Sequence, residues 1–447
     1  MQSLTSSASS LSSLANIGKR YIRYIADRKH WQQVLVGGFV HSYTTQTCQR
    51  WPQRWMVNSF ISPGRNPIPA HNTSAMPKGT RSSSSGPRAP MNDRTPSEPR
   101  PSSSIILLSP TNQVLLLHRV KTSTSFASAH VFPGGNLSGF HDGAIPPPGD
   151  AKRHVDSLAY RLGAIRETFE ESGILLAREG SKDGPLLNLP TSERDKARKA
   201  IYENSINFGK WLESVGGIAD TDNLLPFTRW LTPTTMPKRF TTQMYVYMLP
   251  LETSSDPVLS AAQHEALIPT PDNGTEVTAA HFDDAATWLE KQGRGEVMLF
   301  PPQYFLLSLL SQFLTGAPAA SSSSSLSPSS TMEHYRVQRD KLRAFLHALP
   351  TATHPKAVNH PTSQIAWADK VMSPVTLGLR HADQRAILAL DKPGAELRDS
   401  GRGGDWERVV LVKFTKAGAT NVEVRDREEV LVEEREARAK QEAASKL

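Results

Sequence analysis

Cysteine is almost absent from this 447-residue sequence, in which Cys48 is the only one. One cysteine cannot form an internal disulfide, so a small disulfide-stabilised scaffold is excluded and a reducing, intracellular setting is favoured. A membrane-spanning run is missing as well. The most hydrophobic stretch, residues 299–314, has two prolines near its start and 12 residues after them, whereas a spanning helix needs about 20 apolar residues. We therefore predict no membrane span, and a helix here that covers a sheet.

Acidic residues are nearly absent from the first 90 positions, where Asp27 is the only acid beside 11 Lys and Arg residues. The rest of the chain carries 40 basic and 42 acidic residues, so the formal charge of +8 belongs to the N-terminal segment and no nucleic-acid-binding core is expected. Residues 1–103 are basic and rich in Ser, Arg and Pro, which predicts a disordered tail. Three interpretations of it stay open: a mitochondrial transit segment, a linker, or an upstream start codon with Met76 or Met91 as the true beginning.

Carboxylates are concentrated in residues 158–176, LAYRLGAIRETFEESGILL. A helix here places Glu167, Glu170 and Glu171 on one face, because residues three and four apart are neighbours. Gly173 suits the left-handed position that ends a helix. Like charges at this spacing repel each other by about 0.2–0.5 kcal/mol per pair. A solvated acidic face is one interpretation; the other is a site for a hard divalent cation such as Mg²⁺, which prefers oxygen ligands.

The order of residues around these carboxylates resembles a known family. The string R-E-x-x-E-E-x-G-I at residues 166–174 matches the second half of the Nudix hydrolase box, G-x5-E-x7-R-E-U-x-E-E-x-G-U, and F-P-G-G precedes it at residues 132–135. Thr168 stands where the family prefers an aliphatic residue. The resemblance implies a Nudix α/β/α sandwich with a mixed sheet.

The resemblance also implies roles for the residues of the box. Glu167, Glu170 and Glu171 would hold Mg²⁺ or Mn²⁺ and take part in catalysis. Arg166 would pair with a neighbouring carboxylate and fix its orientation, so it is counted among the catalytic residues as well. Glu276, in a later loop, is a further candidate for the base or for a metal ligand.

The first half of the box is interrupted by an insertion. Gly135 and Arg166 are 31 positions apart, where the box allows 14, and the extra residues include three consecutive prolines at 146–148. Such a segment predicts a loop. The first glutamate of the box has no counterpart by spacing, and Asp142, Asp150 and Asp156 are its candidates. An insertion of this kind is typical of a large-insert subgroup of the family, which includes a mammalian peroxisomal coenzyme A diphosphatase.

The substrate is suggested by a second part of the resemblance. L-L-L-x-R followed by F-P-G-G is similar to the coenzyme A-specific signature of the family, although Thr124 and Ser128 stand where that signature has Arg and Gly. The residues assigned to substrate binding are Arg119, Gly134, Gly135 and Arg239, the last because a guanidinium can hold a phosphate bidentately. The implied reaction is hydrolysis of coenzyme A or acyl-coenzyme A. An NADH or ADP-ribose diphosphatase, and a non-catalytic Nudix module that binds nucleotides, are the alternatives.

Hydrophobic patterning outlines the rest of the chain. We expect the Nudix domain at residues 104–314, a low-complexity linker at 315–332 and a β-rich C-terminal appendage at 333–447. Within the domain the predicted strands and helices are strands at 104–109, 113–118 and 243–251, a helical insert at 192–204 and 208–215, and a short helix-like run at 279–290. In the appendage they are helices at 333–349 and 430–442, with strands at 367–374, 385–390 and 408–414.

The sequence finishes on Ser445-Lys446-Leu447. This tripeptide is typical of a peroxisomal address that an import receptor binds. It conflicts with the transit-like composition of the N-terminal segment. We favour the peroxisome, because the tripeptide is a specific signal and the N-terminal one is only compositional; the mitochondrion is the alternative.

Overall fold

The computed structural model describes residues 96–120, 127–251, 268–272, 276–318, 328–416 and 418–445. The chain divides into two units, Met1–Ala89 and Pro90–Leu447, and every described residue belongs to the second. Most of the predicted tail, residues 1–95, therefore lies outside the described residues. The first strand begins at Arg100 and not at the predicted Ser104.

A mixed sheet of eight strands organises the second unit. In chain order the strands of the described residues are β1 (Arg100–Leu108), β2 (Val114–Arg119), β3 (His130–Val131), β4 (Gly134–Asn136), β5 (Ala177–Glu179), β6 (Gly217–Ala219), β7 (Leu225–Leu231), β8 (Phe240–Met248), β9 (Val277–Asp283), β10 (Val371–Met372), β11 (Val375–Leu379), β12 (Ala386–Leu390), β13 (Asp405–Thr415) and β14 (Gly418–Asp426). The order in the large sheet is β10-β7-β8-β1-β2-β3, with β4 also paired to β1 and β9 to β2. Strands β5 and β6 form a small pair, and β11-β12-β13-β14 form a second, antiparallel sheet.

Strand β1 is longer than its apolar part, and two of its three serines have hydrogen-bond partners. It runs parallel to β8 over its whole length, from Arg100 opposite Phe240 onward. The hydroxyl of Ser102 shares a hydrogen bond of 2.6 Å with a threonine of β8, and Ser104 donates to the carbonyl of Pro133 at 2.7 Å. Polar side chains satisfied in this way can be buried in a strand. The apolar run alone therefore underestimates the strand.

Helices cover both faces of the large sheet. In chain order the α-helices of the described residues are α1 (Leu158–Ser172), α2 (Thr191–Tyr202), α3 (Phe208–Ser214), α4 (Ala285–Gly293), α5 (Pro301–Leu310), α6 (Pro328–His347), α7 (Pro355–Val358) and α8 (Arg427–Ala444), and the first six of them lie on the large sheet. On one face α1, α2 and α3 pack against Ile105 and Leu107. On the other face α4, α5 and α6 pack against Ile106 and Leu108. Successive residues of β1 thus enter two different cores, which confirms the α/β/α sandwich that the resemblance implies.

The C-terminal part is β-rich, as predicted, and it is continuous with the large sheet. Strand β10 pairs in parallel with β7, with Val371 opposite Arg229. Trp367 is fully buried and its ring lies 6.3 Å from the ring of Phe227 and 6.2 Å from that of Phe305. A smaller core joins α8 to the second sheet. Residues beyond the predicted linker therefore complete the sheet of the hydrolase-like part.

Some boundaries differ from the sequence predictions. Residues 279–283 belong to strand β9, which pairs with β2, so the helix-like run begins only at Ala285. Helix α6 begins at Pro328, inside the predicted linker, of which residues 319–327 lie outside the described residues. In the C-terminal part strands β11 and β14 were not predicted, and before it strands β5, β6 and β7 were not predicted either. Within the described ranges, no helix has both the length and the apolar character that crossing a bilayer requires.

Candidate active site

Helix α1 carries the predicted carboxylates opposite an apolar side. Ile165 and Phe169 are fully buried in the core between α1 and the sheet, which fixes the rotation of the helix about its axis. The helix ends at Gly173, whose φ of 74° and whose N–H bond to the Phe169 carbonyl form the predicted left-handed cap. The face with the glutamates is thereby turned toward β4.

Arg166 is the centre of the carboxylate cluster. Its Nη1 donates to Oε1 of Glu167 at 2.8 Å and to Oε1 of Glu170 at 2.9 Å. Its Nε and Nη2 bind the two oxygens of Asp142, each at 2.9 Å. Arg166 and Asp142 are both buried. A residue of the insertion therefore holds the arginine that in turn holds two glutamates of α1.

Of the three insertion aspartates, only Asp142 reaches this cluster. Asp150 accepts the backbone N–H of Lys152 and caps a short 3-10 turn. Asp156 pairs with Arg161 at 2.6 Å. Asp142 contacts Arg166 through both oxygens. It therefore orients the other carboxylates indirectly, by holding the guanidinium that binds them.

Arg119 joins two further predicted residues to α1. Its Nη1 donates to Oε1 of Glu171 at 3.3 Å, and its Nη2 donates to Oε2 of Glu276 at 3.1 Å. The other oxygen of Glu171 accepts the backbone N–H of Gly134 at 2.8 Å. The structure thus brings Glu276 within one side chain of the carboxylate helix. Its role as a base or ligand stays a prediction.

The two glycines of β4 are required by close approach. A Cβ on Gly135 would lie 2.4 Å from the carboxyl carbon of Glu167, and a Cβ on Gly134 would lie 2.3 Å from the carbonyl oxygen of Ser103. Either contact is shorter than van der Waals distance allows. Glycine at both positions therefore lets the strand backbone lie directly against the carboxylates.

The cluster holds more negative than positive charge. Two guanidinium groups contact five carboxylates in it, and these seven residues are Arg119, Arg166, Asp142, Glu167, Glu170, Glu171 and Glu276. The formal excess is three negative charges. Burial raises the pKa of Glu167 to about 7, and it also raises the pKa values of Glu170 and Glu171, because desolvation disfavours the charged form.

The donor set suits a divalent cation. The atoms that could bind a metal here are carboxylate oxygens, which Mg²⁺ and Mn²⁺ prefer as ligands. Arg166 binds only the Oε1 atoms of Glu167 and Glu170, so their Oε2 atoms are outside its hydrogen bonds. As the side chains stand, no three His, Cys, Asp or Glu residues of the described segments are arranged around a common metal position.

Arg239 is not part of the cluster, in contrast to the predicted phosphate contact. Its guanidinium binds both oxygens of Glu396, at 2.5 and 3.0 Å, and its remaining bonds go to the carbonyls of Ser97 and Thr232. The side chain is 1% exposed. The bidentate geometry that suits a phosphate is used here for a carboxylate. Arg239 therefore joins strand β8 to the C-terminal part.

Arg198 is a residue near the site that the sequence analysis missed. From α2 it donates to the backbone carbonyl of Glu170, at 3.2 Å from Nε and 2.9 Å from Nη2, and to Oγ1 of Thr270 at 2.9 Å. Nearby, Asp272 accepts the backbone N–H of Glu276 at 2.8 Å. The helical insert thus ties the end of α1 to the loop that carries Glu276. The only sequence signal was the general need of terminal helix carbonyls for donors.

The comparison with family models agrees with this arrangement. Residues 148–310 match the model of the NUDT19 Nudix domain. This stretch of the chain is therefore similar to a Nudix hydrolase domain. The match begins inside the insertion and includes α1, β7, β8, β9 and the whole of α5.

Curated proteins are similar to this chain at modest identity. The acyl-coenzyme A diphosphatase NUDT19 of Gallus gallus is 28% identical over 45% of this chain and 61% of its own length. The putative nudix hydrolase 7 of Caenorhabditis elegans is 27% identical over 48% of this chain and 61% of its own length. The chain therefore spans about six-tenths of the length of the curated relatives it matches.

Solved structures that the chain resembles are more distant. The NUDIX hydrolase from Alicyclobacillus acidocaldarius shares 22% identity over 47% of this chain and 90% of its own length, with a TM-score of 0.36. At that score the likeness carries no argument about this chain. The fold description rests on the strands, helices and pairings given above.

Proposed function

We propose that this Nudix domain hydrolyses the diphosphate linkage of coenzyme A or an acyl-coenzyme A with the help of Mg²⁺ or Mn²⁺. The products would be adenosine 3′,5′-bisphosphate and 4′-phosphopantetheine or its acyl ester. The observation that carries the proposal is the excess of buried negative charge between Glu167 and Glu171 on α1. Uncompensated buried charge is strongly unfavourable, and a divalent cation would offset it.

The ion would be held by Glu167, Glu170 and Glu171. When bound, it supplies an electrophile for the diphosphate oxygens and lowers the pKa of a water molecule. Arg166 keeps two of these glutamates oriented through their Oε1 atoms. The glycine at position 135 leaves room for the Glu167 carboxylate directly beside the strand.

Glu276 is the candidate for the group that accepts a proton from the attacking water. Its side chain is 39% exposed, whereas that of Glu171 is 5% exposed, so Glu276 is the more accessible carboxylate bound to Arg119. Arg119 holds it by one oxygen, Oε2. A carboxylate that is fixed in place and still in contact with solvent suits a general base.

The choice of coenzyme A rests on similarity and not on a bound ligand. Two of the curated relatives are named acyl-coenzyme A diphosphatases. The signature that contains Arg119 points the same way, with the two departures at Thr124 and Ser128. NADH and ADP-ribose contain the same diphosphate linkage, so they are the competing substrates in the test.

The test incubates the purified full-length chain and Mg²⁺ with coenzyme A, NADH and ADP-ribose, and separates the products by chromatography. We expect adenosine 3′,5′-bisphosphate from coenzyme A. Glu170→Gln should lose most of this activity while remaining folded, because its amide oxygen can still accept the hydrogen bond from Nη1 of Arg166. Glu213→Gln, on α3 away from the cluster, is the matched control.

The second candidate function is a Nudix module that binds nucleotides without turnover. It is favoured by one observation, that Arg166 and Arg119 bind the carboxylates as they stand. If none of the three substrates is cleaved with Mg²⁺ or Mn²⁺, while calorimetry detects nucleotide binding, this second candidate replaces the first.

We also propose that the chain is imported into peroxisomes through Ser445-Lys446-Leu447. Helix α8 ends at Ala444 and its last residues are exposed, while Lys446 and Leu447 lie outside the described residues. A fluorescent protein fused before Met1 should accumulate in peroxisomes and become diffuse when the tripeptide is deleted. Accumulation in mitochondria, or no effect of the deletion, would contradict the proposal.

A further inference from the structure

Arg229 of β7 is a buried cation with unpaired donors. It is 1% exposed, and its Cζ lies 4.5 Å from the centre of the Tyr160 ring. Its Nη1 donates to Oγ1 of Thr241 at 3.2 Å, but Nε and Nη2 have no hydrogen-bond partner among the described residues. Burial of a charged group is costly unless its donors are paired. The structure therefore leaves one edge of this guanidinium without an acceptor.

Two other basic side chains lie beside Arg229. His154, at the end of the insertion, shares a hydrogen bond of 3.1 Å with the same Thr241 hydroxyl through Nδ1. Arg402, in the C-terminal part, donates from Nη1 to the carbonyl of His154 at 2.5 Å. Burial first and Arg229 second lower the pKa of His154 to about 4, and the same two causes lower the pKa of Arg402. The insertion, β7 and the C-terminal part thus bring two guanidinium groups and one imidazole together, and the two guanidinium groups repel each other.

The acidic groups of this region do not neutralise them. Asp156 pairs with Arg161 at 2.6 Å, and Glu396 pairs with Arg239 at 2.5 Å. Asp369, which opposes the lowering of the Arg402 pKa, is an exposed residue. No carboxylate of the described segments forms an ion pair with Arg229 within 4.0 Å. The local charge is therefore positive.

We propose that Arg229 and Arg402, with His154 and Thr241 between them, form a binding site for a phosphate group. The free Nε and Nη2 of Arg229 lie along one edge of the guanidinium, the edge that binds two oxygens of a phosphate side by side. Arg402, which is only partly buried, adds a second positive charge at the outer side of the site. A dianion there would satisfy the unpaired donors and remove the repulsion among the cations.

The position relative to α1 suggests where the phosphate comes from. Tyr160 and Glu167 are seven residues apart and share a face of the helix, which puts the site about 10 Å along the axis from the carboxylates. A substrate with a phosphate monoester beyond its diphosphate, as coenzyme A has, is one source. Free inorganic phosphate is the other. The first source rests on the proposed function; the site itself does not.

The first experiment titrates inorganic phosphate into the metal-free full-length chain, in EDTA, by calorimetry. We expect binding to the parent chain and at least about a ten-fold loss of affinity in Arg402→Gln and in Arg229→Gln, since each removes a charge-assisted hydrogen bond. Arg385→Gln, which removes an arginine already paired with Asp383 and Glu423, is the matched control and should bind normally. Unfolding midpoints show which variants are folded. If Arg229→Gln does not fold, Arg402→Gln alone tests the site. Absence of phosphate binding, or equal affinity in all three variants, overturns the proposal.

The second experiment compares kcat/KM for coenzyme A and for dephospho-coenzyme A, which lacks only the 3′-phosphate. If the substrate supplies the phosphate, kcat/KM for coenzyme A divided by kcat/KM for dephospho-coenzyme A falls about ten-fold in Arg402→Gln and does not change in Arg385→Gln. A ratio that is unchanged, together with lost phosphate binding, assigns the site to free phosphate. If neither compound is cleaved, the proposed function fails, and the phosphate titration still decides whether the site exists.

Discussion

The contact between Asp142 and Arg166 leads to the sharpest prediction about stability. The Asp142 side chain is 0% exposed, and both of its oxygens bind Arg166. Asp142→Asn keeps the volume but removes the charge and places an amide N–H₂ against the guanidinium. Breaking a buried ion pair costs about 3–5 kcal/mol. Arg166 retains Glu167 and Glu170, so we expect the lower end, about 3 kcal/mol of unfolding free energy.

The assay is urea denaturation of the full-length chain in EDTA, which removes any contribution from a metal. Asp150→Asn is the matched control, because it is an aspartate of the same insertion that only caps an exposed 3-10 turn. The Asp150→Asn substitution should lower the unfolding free energy by about 1 kcal/mol or less. If the two variants lose equal stability, Asp142 does not anchor Arg166, and the insertion has no part in building the carboxylate cluster.

Three further predictions follow from single contacts. Gly135→Ala should remove most coenzyme A hydrolysis, because its Cβ would lie 2.4 Å from the Glu167 carboxyl carbon; full turnover in the product assay would contradict this. Arg239→Gln should lower the unfolding free energy by about 2 kcal/mol through loss of its bonds to Glu396 and leave the KM for coenzyme A nearly unchanged; a large rise in KM would restore the phosphate role. Burial lowers the pKa of Lys370 from 10.5 to about 8. Between these pH values the unfolded chain therefore binds one proton more than the folded chain, so folding becomes more favourable as the pH rises. The unfolding free energy of the parent chain should increase by about 3 kcal/mol relative to that of Lys370→Met as the pH rises from 8 to 10.5. If the difference in unfolding free energy between the parent chain and Lys370→Met does not change with pH, this last prediction is refuted.

The carboxylate helix could be predicted from the sequence because its determinants are local. Glu167, Glu170 and Glu171 share a face by spacing alone, and Gly173 ends the helix by its conformational freedom. The partner of Arg166 could not be predicted, since Asp142 is 24 positions away within an irregular segment. Its position depends on contacts with another helix, α3.

The contacts that position this segment are distant in sequence. The backbone N–H of Phe208 donates to Nδ1 of His141 at 3.1 Å, and the side chain of Asn207 donates to the carbonyl of Phe140. Helical periodicity predicts α3 but not the residues that its N-terminus contacts. The same limit explains Arg239: its guanidinium could serve a phosphate or a carboxylate, and only the fold brings Glu396 to it.

Strand β10 has a consequence for how the chain can be shortened. A recombinant fragment that stops at residue 314 would lack β10, the strand that pairs with β7. It would also expose to solvent the apolar surface that Trp367 covers. A bare strand edge beside exposed aromatic rings invites self-association. The fragment that ends at residue 314 should therefore precipitate when it is expressed without the segment that follows it, and the two must be produced as one polypeptide.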